Sequence, residues 1–428
     1  MSNAANELDM DNTSPHSENV QASEGSPIRL AILAMHPVPY HSTLYRSICD
    51  APAFEGKVIY LDTMGLKGIY EKEFGTKIEW DIPLLEGFDH EFVPNHARNN
   101  ESGAFSRFNP GLPAVLKRGQ FDAILIQGYS IVSFWIALFS ARRLGIKVIW
   151  RGEVTLKPSD ASSGLRRQVR DAVVRAFLRR CDAVMYTCAG NKDFLTHQGV
   201  RGEALYPFLC AVDNDRLRAE HKKNALQSAQ IRQELGIPDG NIVVLFCGRL
   251  TPRKRPFDVL EAIRKTGSSG LSFVIMGDGP LRQELLDSAS NHNIHTVFLG
   301  FMNQSKISRY YTIADIFCLP SEYDPSPKAL NEAMNFLLVP IVSETIGTAR
   351  DLVVNGDTGF QVPLGDTDAI AARIAELRGD AGMRQRMAER ALERVAHFSF
   401  ASNVAGLEAA CRAALKGHTT PSRSANAR

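Results

Sequence analysis

The sequence is short of the features that would place it quickly. Its seven cysteines, Cys49, Cys181, Cys188, Cys210, Cys247, Cys318 and Cys411, form no CxxC pair, so zinc-ribbon and thioredoxin-type chemistry lack their spacing. Most lie in apolar segments such as Phe246-Cys247 and Phe317-Cys318-Leu319, where a thiol acts as a small core hydrophobe. An odd, scattered set points to a reducing compartment. An excess of one charge is also missing. Lys and Arg number 49 against 47 Asp and Glu, a formal net charge of +2, which speaks against nucleic acid as a partner because that needs a basic field over the surface. No long apolar run is present. The most apolar window, 124–144, is interrupted by Gln127, Gly128, Ser130, Ser133, Ser140, Arg142 and Arg143 and reads as a strand followed by a buried helix. Residues 1–27 lack the basic start and apolar core of a signal peptide. Their polar composition predicts disorder, as does that of 416–428. The expected location is cytoplasmic.

What is present is a long, ordinary globular chain: 428 residues, 44% hydrophobic and 22% charged. At roughly 100–200 residues per domain this allows two or three cores. Short apolar runs alternate with helical periods. In the first half the strand candidates are 30–35, 57–61, 123–127, 147–150 and 183–187, with helices near 42–50, 130–144, 164–180 and 190–198. In the second half the strands are 243–247, 272–276, 297–299, 316–319 and 339–342, with helices near 256–266, 280–290, 304–313, 328–337 and 347–354. Runs of four to six apolar residues separated by helices signal βαβ units and parallel sheets covered on both faces. The expected fold class is α/β, with two facing, doubly wound, Rossmann-like domains at 28–218 and 241–400. A polar linker at 219–240 ends in the turn cluster Gly236-Ile237-Pro238-Asp239-Gly240. A helix at 401–415 is expected to cross back to the first domain. The cleft between the carboxyl ends of two such sheets is the natural ligand site.

Two segments carry chemistry. Gly248-Arg249-Leu250-Thr251-Pro252-Arg253-Lys254-Arg255 follows a strand end directly, and its glycine turn and four cations suit a diphosphate. A merely solvated basic loop is the competing account. In Ser321-Glu322-Tyr323-Asp324-Pro325-Ser326-Pro327-Lys328-Ala329-Leu330-Asn331-Glu332, Ser326 is a natural N-cap and Pro327 a natural first helical residue. The amides of that helix start would offer a second phosphate cradle. Asp324 and Glu332 could both address one bound molecule, since carboxylates accept paired hydrogen bonds from vicinal hydroxyls. The alternative is an acidic helix start stabilised by its dipole, with Glu332 solvated.

Taken together with Gly277-Asp278-Gly279-Pro280, Phe298-Leu299-Gly300, Ile346-Gly347 and Asn355-Gly356-Asp357-Thr358-Gly359-Phe360, these segments resemble the nucleotide-sugar-binding half of the retaining family 4 glycosyltransferases (group 1), which have the GT-B fold. The resemblance is specific over 241–365 and weaker over 28–218. It implies a donor site in which Arg249 and Lys254 hold the diphosphate, Glu332 takes the ribose hydroxyls and Asp324 sits against the transferred sugar. Gly277, Ser326, Pro327, Lys328, Ala329 and Leu330 complete the donor set. It implies a hexose-type transfer from a nucleotide diphosphate sugar to a hydroxyl acceptor, in polysaccharide or glycolipid synthesis, with no cofactor and no metal. The family pattern pairs two glutamates; here Asp324 is one methylene shorter at the first position, with Glu322 a nearby competitor. Gln127 stands where many relatives carry a histidine, which a front-face displacement tolerates because the departing phosphate oxygen takes the proton.

On the acceptor side the candidates are His36, His41, Gln127 and Arg151, at strand ends facing the cleft. A turn built by Pro37 and Pro39 with surface histidines is the alternative for the first two. Asp9-Met10-Asp11 and Asp213-Asn214-Asp215 spell DxD; the first falls in the polar tail and the second reads as a helix cap. The segment 164–180 carries Arg166, Arg167, Arg170, Arg175, Arg179 and Arg180 against the single acid Asp171. Its Leu165, Val169, Ala172, Val173, Ala176 and Phe177 share a helical face, expected to pack on the sheet. The arginines are then a solvated face or a contact to anionic lipid, which would place the protein at the inner face of a membrane. Two other readings stand beside transfer: a sugar-nucleotide epimerase of the same fold, and a catalytically silent nucleotide-sugar-binding protein.

Overall fold

A computed structural model of the chain describes residues 26–66, 69–71, 76–98, 103–156 and 164–417. Nearly all of the two polar tails, Asp9-Met10-Asp11 included, lies outside the described residues. The first half runs β1 (Ile28–Ala34), α1 (Pro39–Cys49), β2 (Phe54–Tyr60), β3 (Ile69–Glu71), β4 (Thr76–Ile78), β5 (Asp89–Phe92), α2 (Leu112–Gly119), β6 (Ala123–Ile126), α3 (Val132–Arg143), β7 (Lys147–Arg151), α4 (Leu165–Leu178), β8 (Ala183–Tyr186), α5 (Ala189–His197) and β9 (Leu205–Pro207). Two helices follow, α6 (Asn214–Ala225) and α7 (Ser228–Glu234). The second half runs β10 (Ile242–Cys247), α8 (Pro256–Thr266), β11 (Leu271–Met276), α9 (Arg282–Asn291), β12 (Thr296–Gly300), α10 (Ile307–Tyr311), β13 (Ile316–Leu319), α11 (Lys328–Asn335), β14 (Val339–Ser343), α12 (Ala349–Leu352), β15 (Phe360–Val362), α13 (Thr367–Gly379), α14 (Ala381–Ala396) and α15 (Phe400–Leu415).

The apolar runs form two parallel sheets, ordered β5-β2-β1-β6-β7-β8-β9 and β12-β11-β10-β13-β14-β15. Strands such as Ala123–Ile126 and Ile316–Leu319 are buried at every residue, because helices cover both faces. In the first sheet the strand order reverses at β1 and β6, in the second at β10 and β13. Crevices open at the carboxyl ends of such pairs, so the topology aims the segments after β1, β6, β10 and β13 at one cleft. The last helix, α15, packs back on β7, β8, β9 and α1 of the first half, burying Leu407, Ala410, Cys411 and Ala414 in that half's core.

The linker stretch 219–240 is mostly helical, in α6 and α7, and Arg232 ties α7 to Asp315 and to the Ile313 carbonyl. Asp213 does cap a helix, its carboxylate accepting the Arg216 N–H at 3.0 Å. Two expectations need correction. The apolar face of α4 does not pack wholly on the sheet. Leu165 is 76%, Val169 55% and Val173 40% exposed, while Val174, Phe177 and Leu178 carry the packing. Finally, Ser326 does not cap α11; Pro327 occupies the cap position, and the Ser326 hydroxyl is buried without a hydrogen-bond partner.

Candidate functional site

The cleft holds a cavity of about 440 Å³, walled chiefly by the second half and closed by Tyr40 and Trp80 of the first. Its floor begins where β10 and β11 end. Gly248 donates to the Met276 carbonyl at 3.0 Å and Gly277 to the Gly300 carbonyl at 2.8 Å. Gly277 has φ +143°, and a Cβ there would stand 1.9 Å from the Gly248 carbonyl oxygen. Only glycine lets these two loops lie against each other.

Of the donor set expected from sequence, Arg249, Lys254, Gly277, Asp324, Pro327, Lys328, Ala329 and Glu332 line this cavity. Lys254 closes a 3₁₀ turn, Pro252–Lys254, and forms an ion pair with Asp324. Asp324 is held by its own backbone, whose carbonyl accepts the Gly347 N–H at 2.9 Å. Ser326 and Leu330 do not join the lining: Leu330 is fully buried in the core, and its N–H bonds the Pro327 carbonyl. Glu322, the competing carboxylate, is exposed.

Glu332 is 2% exposed, which excludes a solvated side chain. Tyr40 donates to one of its oxygens at 2.7 Å and Tyr311 to the other at 2.9 Å. Gln304 in turn donates to the Tyr40 oxygen at 2.8 Å. Burial pushes the Glu332 carboxyl above its usual range, against the hydrogen bonds of the two tyrosines. Tyr40 belongs to α1 of the first half, so this contact also spans the cleft.

The four acceptor candidates are absent from the lining of this cavity, but three of them meet beside it. Arg151 donates to the Gln127 carbonyl oxygen at 3.1 Å, and Gln127 donates to the Tyr45 hydroxyl at 2.6 Å. Arg151 also pairs with Glu153 and stacks over the Phe208 ring at 5.1 Å. Lys328 reaches across from α11 to stand 3.7 Å from Glu153 and donates to the Cys210 sulfur at 3.1 Å. His41 lies inside α1 rather than in a loop; burial and then Arg151 depress it to about 3. It is a neutral ring at physiological pH. Burial tends to raise the Glu153 carboxyl, but Lys328, Arg151 and His41 outweigh that and hold it at about 2. His36 stands apart, with Nδ1 3.2 Å from the Pro37 carbonyl oxygen.

Tyr40, Trp80, Phe301, Met302, Gln304 and Tyr311 were not legible as site residues. They come to the cavity or to Glu332 by tertiary packing, Tyr40 from 292 positions away. The one available hint was the position of Tyr40 just after a strand end in His36-Pro37-Val38-Pro39-Tyr40. Among the described residues no group of three His, Cys, Asp or Glu side chains is placed to hold a metal, and no helix is long and apolar enough to cross a membrane.

Two family models match the chain: Glycosyl transferases group 1 over residues 227–394, and Glycosyl transferase 4-like domain over 91–206. Among curated relatives, the alpha-D-kanosaminyltransferase of Streptomyces kanamyceticus is 31% identical over 167 residues, 38% of this chain and 43% of that protein. An N-acetyl-D-galactosaminyltransferase of Campylobacter jejuni acting on an undecaprenol-linked glycan is 33% identical over 159 residues, 36% and 44% of the two chains. The chain thus spans less than half the length of these relatives in the matched stretch. Among solved structures, HepE of Anabaena in complex with UDP superposes with TM-score 0.68 at 17% identity, over 89% of this chain and 99% of HepE. A glycosyltransferase of Rickettsia africae does so with TM-score 0.71 at 14% identity, over 92% and 100%. The two facing parallel sheets with their cleft are the GT-B fold, and the chain carries a group 1 glycosyl transferase domain in its second half and a glycosyl transferase 4-like domain in its first.

Proposed function

We propose that this protein is a retaining glycosyltransferase that moves a hexose-type sugar from a nucleotide diphosphate sugar to a hydroxyl acceptor. The observation that carries the reading is the gathering of Arg249, Lys254, Asp324 and Glu332 on one cavity at the β10–β13 switch point. Arg249 and Lys254 supply a planar fork of donors and a point charge for a diphosphate. The start of α11 adds the amides of Lys328 and Ala329 beneath the same cavity. Negative charge grows on the leaving diphosphate as the glycosidic bond breaks, so cations fixed beforehand lower the barrier without reorganising. In a front-face displacement the departing oxygen takes the acceptor proton, and Gln127 needs to carry none. Asp324 would address the transferred sugar and Glu332 the ribose, exchanging the Tyr40 hydroxyl for a ribose hydroxyl of like chemistry. HepE, of the same fold, has been solved with UDP-glucose bound.

The acceptor enters from the first half, where Gln127, Arg151 and His41 lie beside the cleft. We read the outward stripe of α4, with the arginines around it, as a contact to anionic lipid that would bring a lipid-linked or polysaccharide acceptor to the protein.

Donor hydrolysis tests the site. Wild type is expected to release nucleoside diphosphate from its donor among UDP-, GDP- and ADP-sugars. Lys254→Ala should lose more than about nine-tenths of that turnover, on the scale of losing one charge-stabilising donor, and Glu332→Ala should lose most of it through the lost acceptor for the ribose hydroxyls. Unchanged turnover in both variants would overturn the assignment.

A further inference from the structure

The cavity lining divides by chemistry. Arg249, Lys254 and Lys328 supply charge; Trp80, Phe301, Met302 and Ile307 supply apolar surface. The charged part follows β10 and opens α11, whereas Phe301 and Met302 follow β12, two strands away in the sheet. Two inter-strand spacings are about 10 Å, which suits a ligand with phosphates at one end and a flat ring at the other.

Trp80 is the one aromatic of the apolar part that comes from the first half. It follows the β3–β4 hairpin, and the short segment bearing it is strapped to the far wall at both sides. Asn303 donates through Nδ2 to the Glu79 carbonyl at 2.8 Å, and the Ser305 hydroxyl donates to the Asp81 carboxylate. Between these ties the Trp80 indole meets the Phe301 ring edge-on, centroids 6.3 Å apart at 62°. Its Nε1–H is shut off from solvent and has no hydrogen-bond partner. A buried N–H without an acceptor costs stability, and such a group in a binding cleft is a place where a ligand acceptor would be rewarded.

We infer that Trp80 is the donor-positioning residue for the nucleobase: its indole covers the base from across the cleft, against Phe301 and Met302. A nucleobase offers two flat faces and an edge of carbonyl and ring-nitrogen acceptors, which is what an indole with a spare N–H complements. The cover comes from the opposite half, so base binding and alignment of the two halves become one event. This rests on the donor-site reading above. It adds a residue that the charged machinery does not contain.

The test uses the full-length protein, with UDP, GDP and ADP as nucleotides and inorganic pyrophosphate as a ligand that has no base. Isothermal titration gives affinity and tryptophan emission reports the indole. Wild type should bind one of the nucleotides with a change in emission. Trp80→Ala should weaken that nucleotide about tenfold, the scale of losing one base–aromatic stack, raise the donor KM far more than it lowers kcat, and leave pyrophosphate affinity unchanged. Trp80→Phe, which keeps a ring to cover the base but loses the N–H, should weaken the nucleotide less than Trp80→Ala does while abolishing the emission change. Lys254→Ala should weaken nucleotide and pyrophosphate alike. Equal nucleotide affinity in wild type and Trp80→Ala would overturn the role of Trp80 and leave the donor site standing. Equal loss of nucleotide and pyrophosphate affinity in Trp80→Ala would reduce Trp80 to a structural strut, which also overturns it. A wild type that binds no nucleotide would overturn both readings.

Discussion

At the scale of single residues, the sequence carried the charged groups and missed their neighbours, for a physical reason. Arg249 and Lys254 lie within one loop and Asp324 and Glu332 within nine residues, so local spacing and helix geometry already put each pair on one side of an element. Tyr40, Tyr311 and Gln304, which occupy or orient Glu332, converge only through packing, and nothing local marks them. Gly277 is a third kind of case. It was legible as a turn after a strand, but its necessity lies in the Gly248 carbonyl 1.9 Å from where a Cβ would stand. Gly277→Ala must push two strand ends apart under the cavity, and is expected to cost about 2–3 kcal/mol. Gly236→Ala, also at positive φ (+68°) but with nothing within 4 Å, should cost about 1 kcal/mol from backbone strain alone. Urea unfolding midpoints compare the two; equal losses would show that the close approach is not what demands glycine at 277.

At the scale of elements, strands buried on both faces announce themselves as continuous apolar runs, so most of the central strands were legible to within a residue or two. Of the edge strands of these two sheets β12 was legible and the others were not: Asp89–Phe92 and Leu205–Pro207 are short and half-exposed, and Phe360–Val362 has three residues. The helices α6 and α7 hid behind polar composition, with few residues buried on either. The instructive miss is α4. Its periodicity was real, but which stripe faces the sheet was a tertiary decision that put Val174, Phe177 and Leu178 inside and left Leu165, Val169 and Val173 out. Asp171, the only acid of the helix, is buried beside Arg167 and Arg170. Arg179 and Arg180 remain exposed. The outer side therefore pairs apolar surface with positive charge, the pattern of a helix lying in a lipid interface. Wild type should sediment with phosphatidylglycerol-containing vesicles and far less with phosphatidylcholine alone. Leu165→Asp together with Val169→Asp should reduce that binding about a hundredfold, since each side chain withdrawn from lipid forfeits about 1.5 kcal/mol and about 1.4 kcal/mol is tenfold. Donor hydrolysis should be unchanged. Undiminished sedimentation of the double variant would refute the lipid contact.

At the scale of the whole molecule, two rims hold the halves together, and they titrate in opposite directions. At the cleft, Glu153 of the first half faces Lys328 of the second. Away from it, Asp351 of α12 accepts the Ala189 N–H of α5 at 2.8 Å, and Arg350 pairs with Asp193. The Glu153 carboxyl is held at about 2. A depressed carboxyl gives stability that is whole above its unfolded value, near 4.5, and is lost as pH falls toward 2. Burial instead raises Asp351 to about 6, against the Ala189 N–H and the nearby arginines. Its protonated form is the one the fold prefers, so stability falls as pH climbs from about 4 through 6. Two substitutions separate these terms by chemical denaturation across pH. Glu153→Gln should be less stable than wild type at neutral pH, and the gap should close progressively below about pH 4.5. Asp351→Asn, which keeps an oxygen for the Ala189 N–H, should gain on wild type above about pH 6 and match it near pH 4. A pH-independent gap in both would mean that the ionised state of these carboxylates does not couple the halves. If the gaps move as expected, a proton lost at one rim and a proton gained at the other loosen the same pair of domains. The contacts that already hold Tyr40 and the Trp80 segment on the second half would then be tightest between the two transitions.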